Sequence, residues 1–172
     1  MESKRDNLIL IGMPGCGKST VGVVLAKVLG FQFMDSDLLI QEQESRLLKD
    51  IIAEDGLERF LEIEDCVNAQ IDCEHTIIAT GGSVIYGLKA MQHLRQIGTV
   101  IYLKLSCEAI SERLGDLNER GVALKQGQDL YSLYEERCPL YEKYAHITID
   151  AEEKSIREMT ELIICELTRG IE

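Results

Sequence analysis

The chain has 172 residues, a net charge of −12 and six cysteines. This length allows one domain, residues 1–172, whose core needs neither a metal nor a disulfide. The cysteines are scattered without a C-x-x-C pair, which indicates reduced thiols and not a zinc site. The acidity disfavours nucleic acid or a membrane as a partner, because both need a basic face. No apolar run reaches the length of a transmembrane helix, and we expect a cytoplasmic monomer with a small-molecule substrate.

The first predicted elements are a strand over residues 8–11, a glycine-rich loop and a helix that ends near residue 29. The loop reads GMPGCGKST over residues 12–20 and matches G-x-x-x-x-G-K-[ST], the P-loop that surrounds phosphates with backbone amides. In that motif Lys18 reaches the β- and γ-phosphates, and the hydroxyl of Ser19 binds Mg²⁺. A glycine-rich turn that binds nothing would need neither side chain. The residues expected to contact ATP are Gly15, Cys16, Gly17, Lys18, Ser19 and Thr20.

Two carboxylates follow the second predicted strand, residues 31–34. Many P-loop proteins place the Mg²⁺ carboxylate at the end of another apolar strand, but the strand predicted over residues 76–80 ends in threonine and glycine. We therefore predict Asp35 as the metal carboxylate beside Ser19. Asp37 is predicted to take or orient the proton of a substrate hydroxyl. The alternative is that both aspartates only cap the following helix.

The rest of the chain alternates between helical and strand patterns. Residues 44–72 are predicted to be helical with a break near Asp55-Gly56, and the polar stretch over residues 115–127, which contains Arg120, is predicted to be a mobile lid. The further predicted elements are a strand over 76–80 that ends in Gly81-Gly82-Ser83, a helix to about residue 96, a strand over 99–105, a helix over 107–114, a helix over 130–144 broken near Pro139, a strand over 146–150 and a helix over 152–167.

This alternation predicts an α/β fold of three layers, with a parallel sheet flanked by helices. In such sheets ligands bind at the carboxyl ends of the strands, where the P-loop, the two aspartates and Gly81-Gly82 would meet. The amides of Gly81 and Gly82 can donate to an acceptor molecule, although a plain turn would look the same. Arg120 and Arg137 are candidate clamps for phosphate or carboxylate. The alternative is that each arginine is a solvated surface charge.

With these motifs in this order, the chain resembles the shikimate kinase family over nearly its whole length. The matching stretches are residues 12–20, Asp35-Ser36-Asp37, Asp55-Gly56, Phe60 with Ile63-Glu64, Thr80-Gly81-Gly82, Arg120 and Arg137-Cys138-Pro139-Leu140-Tyr141. The resemblance implies a P-loop NTPase fold of the nucleoside-monophosphate-kinase type, ATP on the P-loop, Mg²⁺ near Ser19 and Asp35, and a lid whose Arg120 contacts ATP and closes over the transferred phosphate. The acceptor residues that it implies are Asp37, Gly81, Gly82 and Arg137, and the catalytic residues are Lys18, Asp37 and Arg120.

The chain departs from the family pattern at three places. The family usually reads F-R-x-x-E where residues 60–64 read FLEIE, so Leu61 stands in place of an arginine that would bind the carboxylate of the acceptor. Glu64 thereby loses the arginine one helical turn before it. The usual R-P-L-L of the lid is RGVA from Arg120 onward, and the third glycine of the glycine run is Ser83. Losing a charge-assisted contact weakens binding of a carboxylate by roughly tenfold to a hundredfold.

The sequence therefore predicts an ATP-dependent kinase that moves the γ-phosphate to a hydroxyl of a small polar metabolite. Shikimate is the first acceptor to consider, and a sugar acid or a hydroxy-amino acid is the second. A nucleotide-dependent regulatory protein without a productive acceptor pocket is the alternative from another class. Asp37, Arg120 and Arg137 favour the kinase, because a protein that only binds ATP needs no carboxylate or arginines on the acceptor side.

Overall fold

A five-stranded parallel sheet forms the centre of the computed structural model, which describes residues 6–115 and 121–169. The strands are β1 (Asn7–Ile11), β2 (Gln32–Asp35), β3 (Thr76–Ala79), β4 (Gly98–Lys104) and β5 (Ile147–Asp150). Their order across the sheet is β2-β3-β1-β4-β5, and all neighbours are parallel. The predicted strands agree with these bounds to within one residue at each end.

Helices flank the sheet and confirm the predicted α/β fold. They are α1 (Lys18–Leu29), α2 (Ser36–Glu44), α3 (Leu48–Asp55), α4 (Leu57–Ala69), α5 (Leu88–Ile97), α6 (Cys107–Arg113), α7 (Leu130–Tyr144) and α8 (Ile156–Arg169), with a 3₁₀ turn at Val84–Tyr86. The break predicted near Asp55-Gly56 occurs at Gly56, whose φ of 86° favours glycine. The break predicted near Pro139 is wrong, because α7 is continuous. Pro139 has no N–H and therefore lacks one helical hydrogen bond. Burial of Arg137 and Tyr141 on either side of it offsets the free energy lost with that bond.

The core explains why β1 is apolar from Leu8 to Ile11. All five residues of β1 are buried, as expected for a strand covered on both faces. A second, smaller core packs α2, α3 and α4 against residue 123, and it lies beside the ends of the strands. We call it the second core, and its buried members are Ile40, Leu48, Ile51, Phe60, Ile63, Val67 and Ala123.

The strand register brings the predicted site residues to one edge of the sheet. Ala79 pairs with Leu10 on one side and with Asp35 on the other, so β1, β2 and β3 end side by side. The P-loop, α2 and the residues after β3 all begin at this edge, which is where ligands bind in open parallel sheets. None of the helices in the described ranges is long and apolar enough to cross a bilayer.

Candidate active site

The P-loop joins β1 to α1, and its shape depends on glycine. Gly12 has a φ of 151°, and a Cβ there would stand 2.8 Å from the backbone oxygen of Leu103. Gly17 precedes α1 with a φ of 101°. The Nζ of Lys18 is buried and donates to the carbonyl oxygens of Gly12 at 2.8 Å and Met13 at 2.9 Å. Lys18 therefore lies against the loop whose amides the motif assigns to phosphate.

Ser19 lies beside Asp35, because the serine Oγ donates to Oδ2 of the aspartate at 2.8 Å. Asp35 also caps α2, since its Oδ1 accepts from the backbone N–H of Asp37 at 3.0 Å and of Leu38 at 3.4 Å. A hydroxyl and a carboxylate are the hard oxygen donors that Mg²⁺ prefers, and phosphate oxygens would complete its shell. Within residues 6–115 and 121–169, no group of three or more His, Cys, Asp or Glu side chains is arranged to hold a metal by itself.

Asp37 has a different position, although it is only two residues away. Its side chain lines the cavity described below, and its Oδ1 is buried without a hydrogen-bond partner among the described residues. Burial, followed by the negative charge of Asp35, raises the pKa of Asp37 from 3.8 to about 6, and Lys18 opposes the rise. A carboxylate that faces a cavity with such a pKa is suited to accept a proton from a substrate hydroxyl.

Glu64 is a polar residue of this site to which the sequence analysis gave no role. It projects from α4, is 2% exposed, and accepts a hydrogen bond from the hydroxyl of Ser83 at 2.6 Å. Its Oε2 is buried without a partner in the described part of the chain. Burial, followed by the charge of Asp37, raises its pKa from 4.5 to about 8. The signal was its helical spacing, because Glu64 lies between Ile63 and Val67 on the buried side of α4.

Gly81 and Gly82 allow the carboxylates and an arginine to approach the backbone. A Cβ at Gly81 would stand 2.5 Å from Oδ1 of Asp37 and 2.9 Å from Oε2 of Glu64. A Cβ at Gly82 would stand 3.0 Å from Nη1 of Arg137. Neither glycine has a positive φ, so space and not backbone conformation requires the missing side chain.

Arg137 is not a surface charge, because only 1% of it is exposed. Its Nη2 donates to the backbone oxygen of Ala123 at 2.7 Å, and its guanidinium lies 5.5 Å from the ring centre of Tyr86. Its Nε is buried and has no partner in the described ranges. The guanidinium thus borders the acceptor end of the site with donor capacity that the protein does not fully use.

One cavity of about 400 Å³ connects the P-loop to the acceptor side. Cys16 does not line it, since the cysteine is fully buried in the main core and its backbone N–H donates to the oxygen of Met13 at 3.2 Å. Arg120 lies outside the described residues. Residues 121–123, from the predicted lid, do line the cavity. The predicted site residues among its lining are Gly15, Gly17, Lys18, Ser19, Thr20, Asp37, Gly81, Gly82 and Arg137.

Leu61 packs against the second core and does not line the cavity. Arg59 does not replace the missing arginine, because it pairs with Glu62 at 3.0 Å and the side chains of both residues are mostly exposed. Among the described residues, the cations that line the cavity are Lys18 and Arg137. Arg137 is therefore the guanidinium that the described residues present to the cavity.

Comparisons with known proteins identify the family and the fold. A family model described as "Shikimate kinase" matches residues 14–168. A shikimate kinase from Thiobacillus denitrificans is 37% identical over 166 residues, which are 94% of this chain and 90% of that protein. A shikimate kinase from a Sulfurihydrogenibium species is 33% identical over 164 residues, 95% of this chain and 98% of that protein. The solved structure of shikimate kinase from Acinetobacter baumannii in complex with shikimate has a TM-score of 0.84 at 28% identity, with 96% of this chain and 94% of that chain covered.

Proposed function

This chain belongs to the shikimate kinase family, and we propose that it transfers the γ-phosphate of ATP to a hydroxyl group of shikimate. One observation carries the proposal. A single cavity extends from Lys18 and Ser19 on the P-loop to Asp37 and Arg137 on the acceptor side. Phosphoryl transfer needs two substrates held in line with their charges neutralised, and this cavity has suitable groups at each end.

The P-loop end suits the triphosphate. Backbone amides and the Lys18 ammonium bind phosphate oxygens, which requires the Nζ of Lys18 to exchange the carbonyls of Gly12 and Met13 for phosphate. Ser19 and Asp35 would hold Mg²⁺, which neutralises charge on the β- and γ-phosphates when it is bound.

The acceptor end suits a hydroxylated acid. The carboxylate of Asp37 accepts the proton of the hydroxyl that is phosphorylated. The Nε of Arg137 has no partner among the described residues, and a carboxylate bound side-on to the guanidinium would satisfy it. Residues 115–127 act as a lid that excludes water and brings Arg120 to the phosphate. Burial of Val122 and Ala123 beside the cavity supports this role.

A second candidate acceptor is another small hydroxylated metabolite, such as a sugar acid or a hydroxy-amino acid. Leu61 supplies no hydrogen bond to an anion and packs against the second core, so it favours an acceptor that carries no carboxylate at that position. A carboxylate would then depend on Arg137 for its guanidinium contact.

The test is ATP-dependent ADP release with shikimate, gluconate, serine and homoserine as separate acceptors. We expect the highest kcat/KM with shikimate. If one of the other three compounds has a kcat/KM at least tenfold higher, that compound replaces shikimate as the proposed acceptor. Tight ATP binding without ADP release for any acceptor would favour the regulatory protein instead.

A further inference from the structure

Two buried carboxyl oxygens lie next to Gly81, and neither has a hydrogen-bond partner within residues 6–115 and 121–169. Oδ1 of Asp37 and Oε2 of Glu64 both border the space that a Cβ of Gly81 would fill, at 2.5 and 2.9 Å, so they lie within a few ångströms of each other. Neither oxygen accepts a hydrogen bond from any described residue. Two ionised carboxylates close together in a buried site repel each other, which favours a proton on one of them.

Lys18 and Arg137 lie near the pair and their charges favour ionised carboxylates, but neither cation hydrogen-bonds an unpartnered oxygen in the described part of the chain. Lys18 is engaged with two P-loop carbonyls, and Arg137 donates to the oxygen of Ala123. Among the described residues, the other charged groups that face the pair are carboxylates: Asp35 on β2 and Asp65 on α4. Ser83, after β3, already donates to the other oxygen of Glu64.

We propose that Glu64 is a protonated carboxylic acid in the folded enzyme and donates a hydrogen bond from Oε2 to Oδ1 of Asp37. One proton then satisfies both unpartnered oxygens. Glu64 is the partner that holds it, because Glu64 is 2% exposed whereas Asp37 is only partly buried, and burial disfavours the charged form. The second oxygen of Asp37 is left for the acceptor hydroxyl, so Glu64 is a positioning residue. This role rests on the proposed kinase activity.

The proposal also explains how the site tolerates Leu61. The family resemblance predicts an arginine at position 61, about one helical turn before Glu64. Such an arginine and the glutamate would contribute one positive and one negative charge. Leucine removes the positive charge, and protonation of Glu64 removes the negative one. The acceptor end then retains the carboxylate of Asp37 and the guanidinium of Arg137, which suits an acceptor with a hydroxyl and a carboxylate.

In the transfer step the O–H bond of the acceptor breaks and its proton passes to the free oxygen of Asp37. The acceptor oxygen forms a bond to the γ-phosphorus, the bond from that phosphorus to the β–γ bridging oxygen breaks, and ADP leaves with that electron pair. The proton on Glu64 does not move. Its task is to hold Asp37 in the orientation that receives the acceptor's proton.

The test compares Glu64→Gln with Glu64→Ala in ADP-release assays with ATP and shikimate. Glutamine can donate from Nε2 to Asp37 and accept from Ser83 at Oε1, whereas alanine can do neither. We expect Glu64→Ala to lower kcat at pH 7 by tenfold or more, with less than a twofold change in KM for ATP. We expect the kcat of Glu64→Gln to exceed that of Glu64→Ala by at least tenfold. Glu62→Gln and Glu62→Ala are the matched controls, since Glu62 is on the same helix with a side chain that is 63% exposed.

The pH profile provides a second readout, which decides the question even if Glu64→Ala does not fold. The kcat of the wild type should fall above about pH 8 as Glu64 loses its proton, and that of Glu64→Gln should not. Loss of activity in Glu64→Gln equal to that in Glu64→Ala, or a wild-type alkaline limb retained in Glu64→Gln, would overturn the proposal.

Failure of the proposed function gives a different result. If the wild type phosphorylates gluconate, serine or homoserine instead of shikimate, the shikimate assignment fails and the same comparison is made with that acceptor. If the wild type phosphorylates none of them, the kinase assignment and the positioning role of Glu64 in the transfer fail together. The hydrogen bond itself is tested without substrate by the dependence of unfolding on pH.

Discussion

Replacing Glu64 with glutamine should change how the stability of the protein depends on pH. Burial and the charge of Asp37 raise the pKa of Glu64 from 4.5 to about 8 in the folded protein. The folded protein therefore binds this proton more tightly than the unfolded chain does. The resulting stability is fully present below pH 4.5 and is lost as the pH rises through 8. Glutamine has no such proton to lose, so the variant should not share this loss.

The magnitude follows from the width of the pH window. Between the two pKa values, the free energy of unfolding of the wild type falls by about 1.4 kcal/mol per pH unit relative to Glu64→Gln. From pH 5 to pH 8 the difference between the two proteins should change by at most about 4 kcal/mol, because relaxation and entry of water lower the cost of the buried charge. Asp37 is present in both proteins, so its titration enters both curves.

The assay is urea unfolding from pH 5 to pH 9, followed by far-ultraviolet circular dichroism because the chain has no tryptophan. Glu62→Gln is the control, and its difference from the wild type should stay nearly constant, since Glu62 is exposed and paired with Arg59. A constant difference between the wild type and Glu64→Gln would refute the reasoning. It would mean that Glu64 is already ionised in the folded protein and donates no hydrogen bond to Asp37.

Four further predictions concern the transfer step. Lys18→Ala should lower kcat by about a hundredfold or more, since the ammonium meets phosphate charge, and near-normal turnover would contradict the P-loop assignment. Asp37→Asn should lower kcat by about a hundredfold or more with little change in KM for ATP; an equal loss of ATP affinity would assign Asp37 to the metal. Leu61→Arg should lower KM for shikimate by about tenfold by adding a charge-assisted contact near Glu64, and an unchanged KM would show that the position does not contact the acceptor. Residues 115–127 should gain protection from hydrogen exchange when ATP and shikimate are both bound, and unchanged exchange would argue against a lid.

The sequence by itself determined the nucleotide end of this protein. An apolar strand, the loop over residues 12–20 and a helix form one local pattern. In this pattern the glycines allow the backbone to turn around the phosphates, the lysine binds phosphate oxygens and the serine hydroxyl binds the metal. These residues lie within a short stretch of chain and need no distant partner. The alternation of strands and helices likewise predicted five strands that agree with the structure to within one residue, because parallel strands buried on both faces are continuously apolar.

Only the tertiary structure decided the acceptor end. The sequence assigned Asp35 to the metal and Asp37 to the acceptor but left open that both only cap α2, because both lie at the start of the same helix. The structure shows that Asp35 caps α2 and that Asp37 lines the cavity. Glu64 depends on partners far away in sequence, since Ser83 comes from beyond β3 and Gly81 brings Asp37 close to it. The protonation of a carboxyl group depends on its burial and on the charges within a few ångströms. Folding brings those groups together from separate elements, and no local pattern in the sequence records that distance.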